Sequence, residues 1–240
     1  MQNRYTGDIG DFGKLGLLRD LQLTGLKIGV NWYLTPDEKY NHDGRHVGYL
    51  ENESYRSCDA ELWTELKHII QSDTRKVQAL QSDQILEAVY YTELLDFSEK
   101  NKAERKALRT KWHGDALKSL CDQDVVFLDP DNGLLVPSAE GTKRENKYIL
   151  SNEVTDYYMQ GSSVIYYQHK ARKPDSYYSE QLRILMRKQV LQGASYFALK
   201  FKTTSQRYYC FIVQPKHRVK IEHAVHSLLT SDWKRHFCKL

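Results

Sequence analysis

The chain has 240 residues, 40% of them hydrophobic and 28% charged, with a formal net charge of +4. This composition suits one α/β domain with a full sheet and excludes a disordered chain or a collagen-like repeat. No apolar run approaches the roughly 18 residues that cross a bilayer, and the opening MQNRYTGDIGDFGK lacks the basic-then-apolar pattern of a signal peptide, so a cytoplasmic protein with no membrane partner is expected. Cys58, Cys121, Cys210 and Cys238 show no C-x-x-C spacing, which argues against a zinc ribbon and for free, mostly buried thiols. The charge is uneven. Residues 1–120 carry 17 Lys/Arg against 19 Asp/Glu, and residues 121–240 carry 18 against 12. A basic second half is compatible with a phosphate-bearing partner such as nucleic acid, and the 17 tyrosines offer rings that could stack bases or simply fill half-wet strands.

In chain order, Leu15, Leu18 and Leu23 mark an amphipathic helix over 11–23, stopped by Gly25. LKIGVNWYLT predicts a buried strand over 26–35, ended by Pro36, and the polar run 37–58 reads as a long loop. Asp59 is placed to cap a helix over 60–71, and a short helix is expected through Val77 and Leu80. AVYYTEL near residue 90 reads as a strand, and Ser98 opens a charged helix to about Leu120. DVVFLDPDNGL gives the clearest strand, at 124–128, apolar enough for burial on both faces. A helix over 152–160, a strand over 162–167 with Gln168, His169 and Lys170 at its exit, and a helix over 178–191 follow. Strands over 194–201 and 207–214 then form a hairpin. The expected fold is α/β: a doubly wound, mainly parallel Rossmann-like sheet with a C-terminal antiparallel hairpin and a reversed edge strand, in a single domain over 1–240.

In such sheets ligands bind outside the carboxyl ends of the strands, which puts Thr35, Asp129 and His169 along one rim. Asp129, in DPDNG, is either a turn former or a carboxylate held by Pro130 and followed by Asp131, suited to an amine or a hard metal. Gly7, Asp8, Gly10, Asp11, Gly13 and Lys14 are either a helix cap or a segment whose backbone approaches a ligand and aims Lys14 at an anion. Asn41, His42, Asp43, Gly44, Arg45 and His46 form a third group, a solvated loop or a metal site, with no further carboxylate at zinc spacing.

Together, GDIGDFGK opening a helix, DGRH in a loop and FLDPDN after a buried strand resemble class I S-adenosylmethionine-dependent methyltransferases. The look is most similar to the bacterial enzymes that methylate the exocyclic amine of an adenine in large-subunit ribosomal RNA. The glycine, aspartate and lysine of that family's opening helix match Gly7, Asp11 and Lys14. Its D-P-P-Y tetrad aligns with Asp129, Pro130, Asp131 and Asn132, of which the first two match, and TPDEKYNHDGRH stands where its glycine-rich cofactor loop follows the first strand. The resemblance implies S-adenosylmethionine as cofactor, bound by Gly7, Asp11, Lys14 and Thr35, and catalysis by Asp129, Lys14 and His169 on a nucleic-acid base. A second hypothesis is a Mg²⁺- or Mn²⁺-dependent nuclease or phosphoesterase using Asp8, Asp11, Asp129 and Asp131 with His169 and the E-x-K of Glu145, Asn146 and Lys147. A third keeps the fold as a nucleic-acid-binding protein without catalysis.

Overall fold

The computed structural model describes residues 1–38, 44, 46–72, 75–82, 84–203 and 205–240. Helix α1, Ile9–Gln22, begins two residues before the sequence expectation because the Asp8 side chain accepts from the amides of Gly10 and Asp11. Strand β1 is only Ile28–Asn31. It stops there because Tyr33 takes a positive φ of 45° and its amide donates to the Asn31 side chain, turning the chain well short of Pro36. The polar run beyond contains helix α2, Glu53–Arg56, and α3, Ala60–Gln71, opens at Asp59 as expected, with the Leu62 amide donating to its carboxylate at 2.9 Å.

After β2, Ala88–Tyr91, helix α4 spans Lys102–Ser119. Asn101, not Ser98, caps it, through a reciprocal box with Glu104. Strand β3, Val125–Leu128, is followed by a small parallel ladder of β4, Gly133–Leu134, and β5, Tyr148–Ile149. Then come α5, Ser151–Met159; β6, Ser163–His169; α6, Asp175–Leu185; β7, Ser195–Phe201; and β8, Arg207–Val213. The chain continues into α7, Arg218–Thr230, and β9, Phe237–Lys239.

The main sheet has seven strands in the order β2-β1-β3-β6-β8-β7-β9. β2, β1, β3 and β6 pair in parallel, β8 runs against both β6 and β7, and β9 runs against β7, so five strands share one direction. Two expectations are corrected here. The reversed strand of the β7–β8 hairpin, β8, is interior, and the hairpin is not terminal, since β9 follows as a second reversed strand and takes the edge beside β7. β8 is buried at all seven positions, as a strand flanked and covered on both faces must be, whereas β7 leaves Tyr196 exposed.

Alternation along the strands separates two apolar layers. Ile28, Val30, Phe127, Ile165, Tyr209 and Phe211 pack with α1, α3 and α7 on one face; Val126, Leu128, Val164, Tyr166, Tyr208 and Ile212 pack with α4, α5 and α6 on the other. Of the four thiols only Cys210 is buried. Among the described residues no helix is long and apolar enough to cross a membrane.

Candidate active site

From β1 the chain moves outward to β2 and then returns to place β3 on the other side, so strand order reverses between β1 and β3. At the carboxyl rim beside that point, above β3 and β6, lies a cavity of about 370 Å³, within the range that holds a nucleotide-sized ligand. Lys14, Asp129 and His169 all line it, as do Asp8, Asp11, Asp131, Tyr167 and Arg207.

Its floor is an ion cluster joining residues 115 apart in sequence. Lys14 Nζ lies 2.5 Å from Asp129 Oδ2 and 2.9 Å from Asp11 Oδ1. The spacing of Asp11 and Lys14 puts them on one side of α1, and Pro130 fixes the chain just beyond Asp129. Asp11 Oδ2 accepts the Gly7 amide, while Asp129 Oδ1 accepts no hydrogen bond among the described residues. Lys14 also stands 5.5 Å from the centroid of Trp32, a fully buried ring that the sequence reading overlooked. Burial pushes the Asp11 and Asp129 carboxyls above the usual aspartate range, and Lys14 only partly offsets this because two carboxylates share one ammonium. Burial would push Lys14 down, but Asp11 and Asp129 outweigh it and hold the amine above its ordinary value.

One residue further on, Asp131 behaves oppositely. Burial would raise it, yet the α-amino group of Met1 at 2.8 Å, with Gln2 and Lys147, holds it below the usual range. The same amino group donates to the carbonyls of Tyr33 and Asp129. Lys147 reaches Glu38 as well. On the β6 side, His169 Nδ1 is 3.4 Å from the Tyr167 hydroxyl, and burial raises that phenol to about 12.

Other expected site residues fall elsewhere. Gly7 lies outside the cavity wall: its φ of +78° makes a turn, and a Cβ there would meet Ile70. Thr35 is buried against the Met1 carbonyl, to which its amide donates at 2.9 Å, and does not line the cavity. The bare faces of Gly10 and Gly13 admit Arg207 and the Phe201 ring, protein rather than ligand. Glu145 accepts the Gly141 amide, so of the E-x-K tripeptide only Lys147 lines the cavity. Asn41, His42, Asp43 and Arg45 lie outside the described residues, while Gly44 and His46 line the cavity. Asp8, Asp11, Asp129 and Asp131 do not converge on one point. Their oxygens serve the α1 amides, Gly7, Lys14 and Met1, and among the described residues no group of three or more His, Cys, Asp or Glu side chains could hold a metal ion.

The space beside the first strand is filled. Tyr33, Tyr91, Leu95, Phe97 and Trp112 pack together there, and the Leu95 amide donates to the Leu34 carbonyl. A ligand at the switch point is therefore displaced toward β3, β6 and β8. There the lining carries both signs, carboxylates at Asp8 and Asp11 and a guanidinium at Arg207.

No family model matches the chain, and no curated protein does. A solved structure, the crystal structure of protein LPL1258 from Legionella pneumophila, described with the family model DUF519, is similar at 14% sequence identity and a TM-score of 0.48, covering 98% of this chain and 96% of that one.

Proposed function

We propose that the protein transfers a methyl group from S-adenosylmethionine to an amine of a nucleic-acid base at this cavity. One observation carries the reading: the two segments on which the resemblance rests, Gly7/Asp11/Lys14 and Asp129/Pro130, are remote in sequence and meet through the buried Lys14 ammonium. A strand-end aspartate serving only as a turn former has no need of a buried lysine. The finer fold reading, doubly wound and Rossmann-like, is supported by helices packed on both faces and by the cavity at the strand-order reversal.

When bound, the cofactor supplies an electrophilic methyl group. The chain's own residues position and deprotonate. Lys14 holds Asp129 through Oδ2 and leaves Oδ1 to accept a hydrogen bond from the target amine. The raised pKa of Asp129 suits it to take the proton that the amine loses on methylation. Tyr167, lining the cavity one strand away, offers a ring face for a base.

A second reading, a nucleotide-binding protein without transfer activity, is favoured by the packed rim of β1 and β2. The cofactor decides between them. Calorimetry with S-adenosylmethionine is expected to give saturable one-to-one binding that S-adenosylhomocysteine displaces. Absence of binding at millimolar cofactor, with nucleotide still bound, would establish the second reading.

A further inference from the structure

Arg207 opens β8, and because β8 runs against β6 its first residue lies on the rim where β6 ends. His169 and Arg207 are register partners there, so their side chains stand next to each other on the face that looks at α1. The Arg207 side chain is buried, with 5% of its surface exposed, and it lines the cavity. Its Nε donates to the Ser205 carbonyl at 3.0 Å, and the guanidinium carbon lies 6.0 Å from the centre of the Tyr167 ring. Neither Nη meets a hydrogen-bond acceptor or an ion-pair partner among the described residues; Nη1 lies against the bare face of Gly10, at the cavity wall that Arg207 helps to form.

The other donors nearby are committed. Lys14 serves Asp11 and Asp129, and Lys147 serves Glu38 and Asp131. At the start of α1 the Gly10 and Asp11 amides donate to Asp8, and the Ile9 amide to the His46 carbonyl. Burial would lower the Arg207 pKa, but Tyr167 and Asp8 outweigh it and the group stays charged. A charged guanidinium that lines a cavity, with no acceptor on either outer nitrogen among the described residues, is suited to meet an oxyanion in charge-assisted hydrogen bonds.

We propose that Arg207, flanked by His169 and Tyr167, binds the phosphate of the substrate, so that the cavity takes a nucleotide and not a free nucleoside. The inference rests on the cavity being the substrate site of the function proposed above, but not on the identity of the methyl donor. An oxyanion could come from a nucleotide phosphate or from the carboxylate of S-adenosylmethionine, and the test separates the two.

Calorimetry on the full chain would compare adenosine 5′-monophosphate, adenosine and S-adenosylmethionine, each with the wild type, Arg207→Gln and Gly10→Ala. Gly10→Ala keeps the guanidinium and displaces it, because the new Cβ would fall 1.7 Å from Nη1; the capping Asp8 Oδ1, 2.8 Å from the same Cβ, must shift as well, while the helical backbone of Gly10 accepts alanine. A folding defect in Arg207→Gln therefore does not remove the test. We expect the wild type to bind the monophosphate roughly tenfold or more tightly than adenosine, and both variants to lose that preference while S-adenosylmethionine binding stays within about twofold. A wild type that shows no preference for the monophosphate, including one that binds neither compound, overturns the proposal. So do variants that keep the preference but weaken S-adenosylmethionine, which would assign Arg207 to the donor's carboxylate. A protein that prefers the monophosphate and binds no S-adenosylmethionine keeps the phosphate site and removes the transfer reading alone.

Discussion

Glu153 and Arg109 show how a buried charge is made tolerable away from the cavity. The pair is bidentate, with Nε to Oε1 at 2.7 Å and Nη2 to Oε2 at 2.8 Å, and the Tyr33 hydroxyl and Leu150 amide complete the carboxylate. Burial would raise Glu153, but Arg109 outweighs it and holds the carboxyl below its ordinary 4.5. A depressed carboxyl contributes stability that is present above its unfolded pKa and lost as pH falls through the folded one. The stabilising contribution of Glu153 should therefore be intact near neutrality and decline only below about pH 4.5. Glu153→Gln leaves Arg109 buried without a counter-charge and should cost about 3–5 kcal/mol at neutral pH. Urea unfolding of both proteins across the acid range checks this: the difference between them should narrow as pH falls, and a pH-independent difference would contradict the assignment. At this scale the sequence was legible where position implies geometry. Asp129 and His169 could be placed on one rim because each follows a buried apolar run. Arg207 escaped notice because an arginine at the start of a strand reads as a solvated end, unless that strand is known to run backwards and so to begin where its neighbours finish.

Helix α1 owes its place against the sheet to a glycine face. Gly10, Gly13 and Gly16 recur every three residues and admit Arg207, Phe201 and Trp233 respectively. A Cβ at Gly16 would lie 2.2 Å from the Trp233 ring, which is itself buried between Phe12 and Phe237. Gly16→Ala should thus destabilise by about 1–3 kcal/mol through overpacking, despite the helical gain of about 0.5–1 kcal/mol that alanine normally brings. Gly114, within α4, offers the control: a Cβ there meets nothing within 4 Å, so Gly114→Ala should stabilise by about 0.5–1 kcal/mol. Thermal unfolding of the two variants should move in opposite directions; a stabilised Gly16→Ala would mean that Trp233 does not seat on α1. Among the elements, α3 was legible to the residue because its cap and its apolar spacing agree. α7 was overlooked although Ile221, Ala224, Val225 and Leu228 have helical spacing. The apolar hairpin before it drew the end of the fold too early. β1 was drawn too long because Trp32, Tyr33 and Leu34 look like strand residues, while the Asn31 side chain that turns the backbone gives no periodic signal.

Across the whole molecule, strand direction and helix placement bring two distant motifs and a reversed strand to one rim. The mainly parallel direction of the strands was legible because buried apolar runs alternate with helices; the interior position of β8 was not, since pairing order is set by tertiary packing and local pattern records only direction changes. The packed rim of β1 and β2 was equally hidden, and it moves the candidate site toward β3, β6 and β8. The central claim is that this displaced cavity carries methyl transfer, with Asp129 at its centre. The direct measurement is incorporation of label from methyl-labelled S-adenosylmethionine into nucleic acid. The wild type should transfer label, and Asp129→Asn, which leaves Lys14 paired with Asp11, should remain folded and transfer about 10²–10⁴-fold more slowly. No transfer by wild-type protein that binds both cofactor and nucleic acid, or equal transfer by Asp129→Asn, would contradict the account.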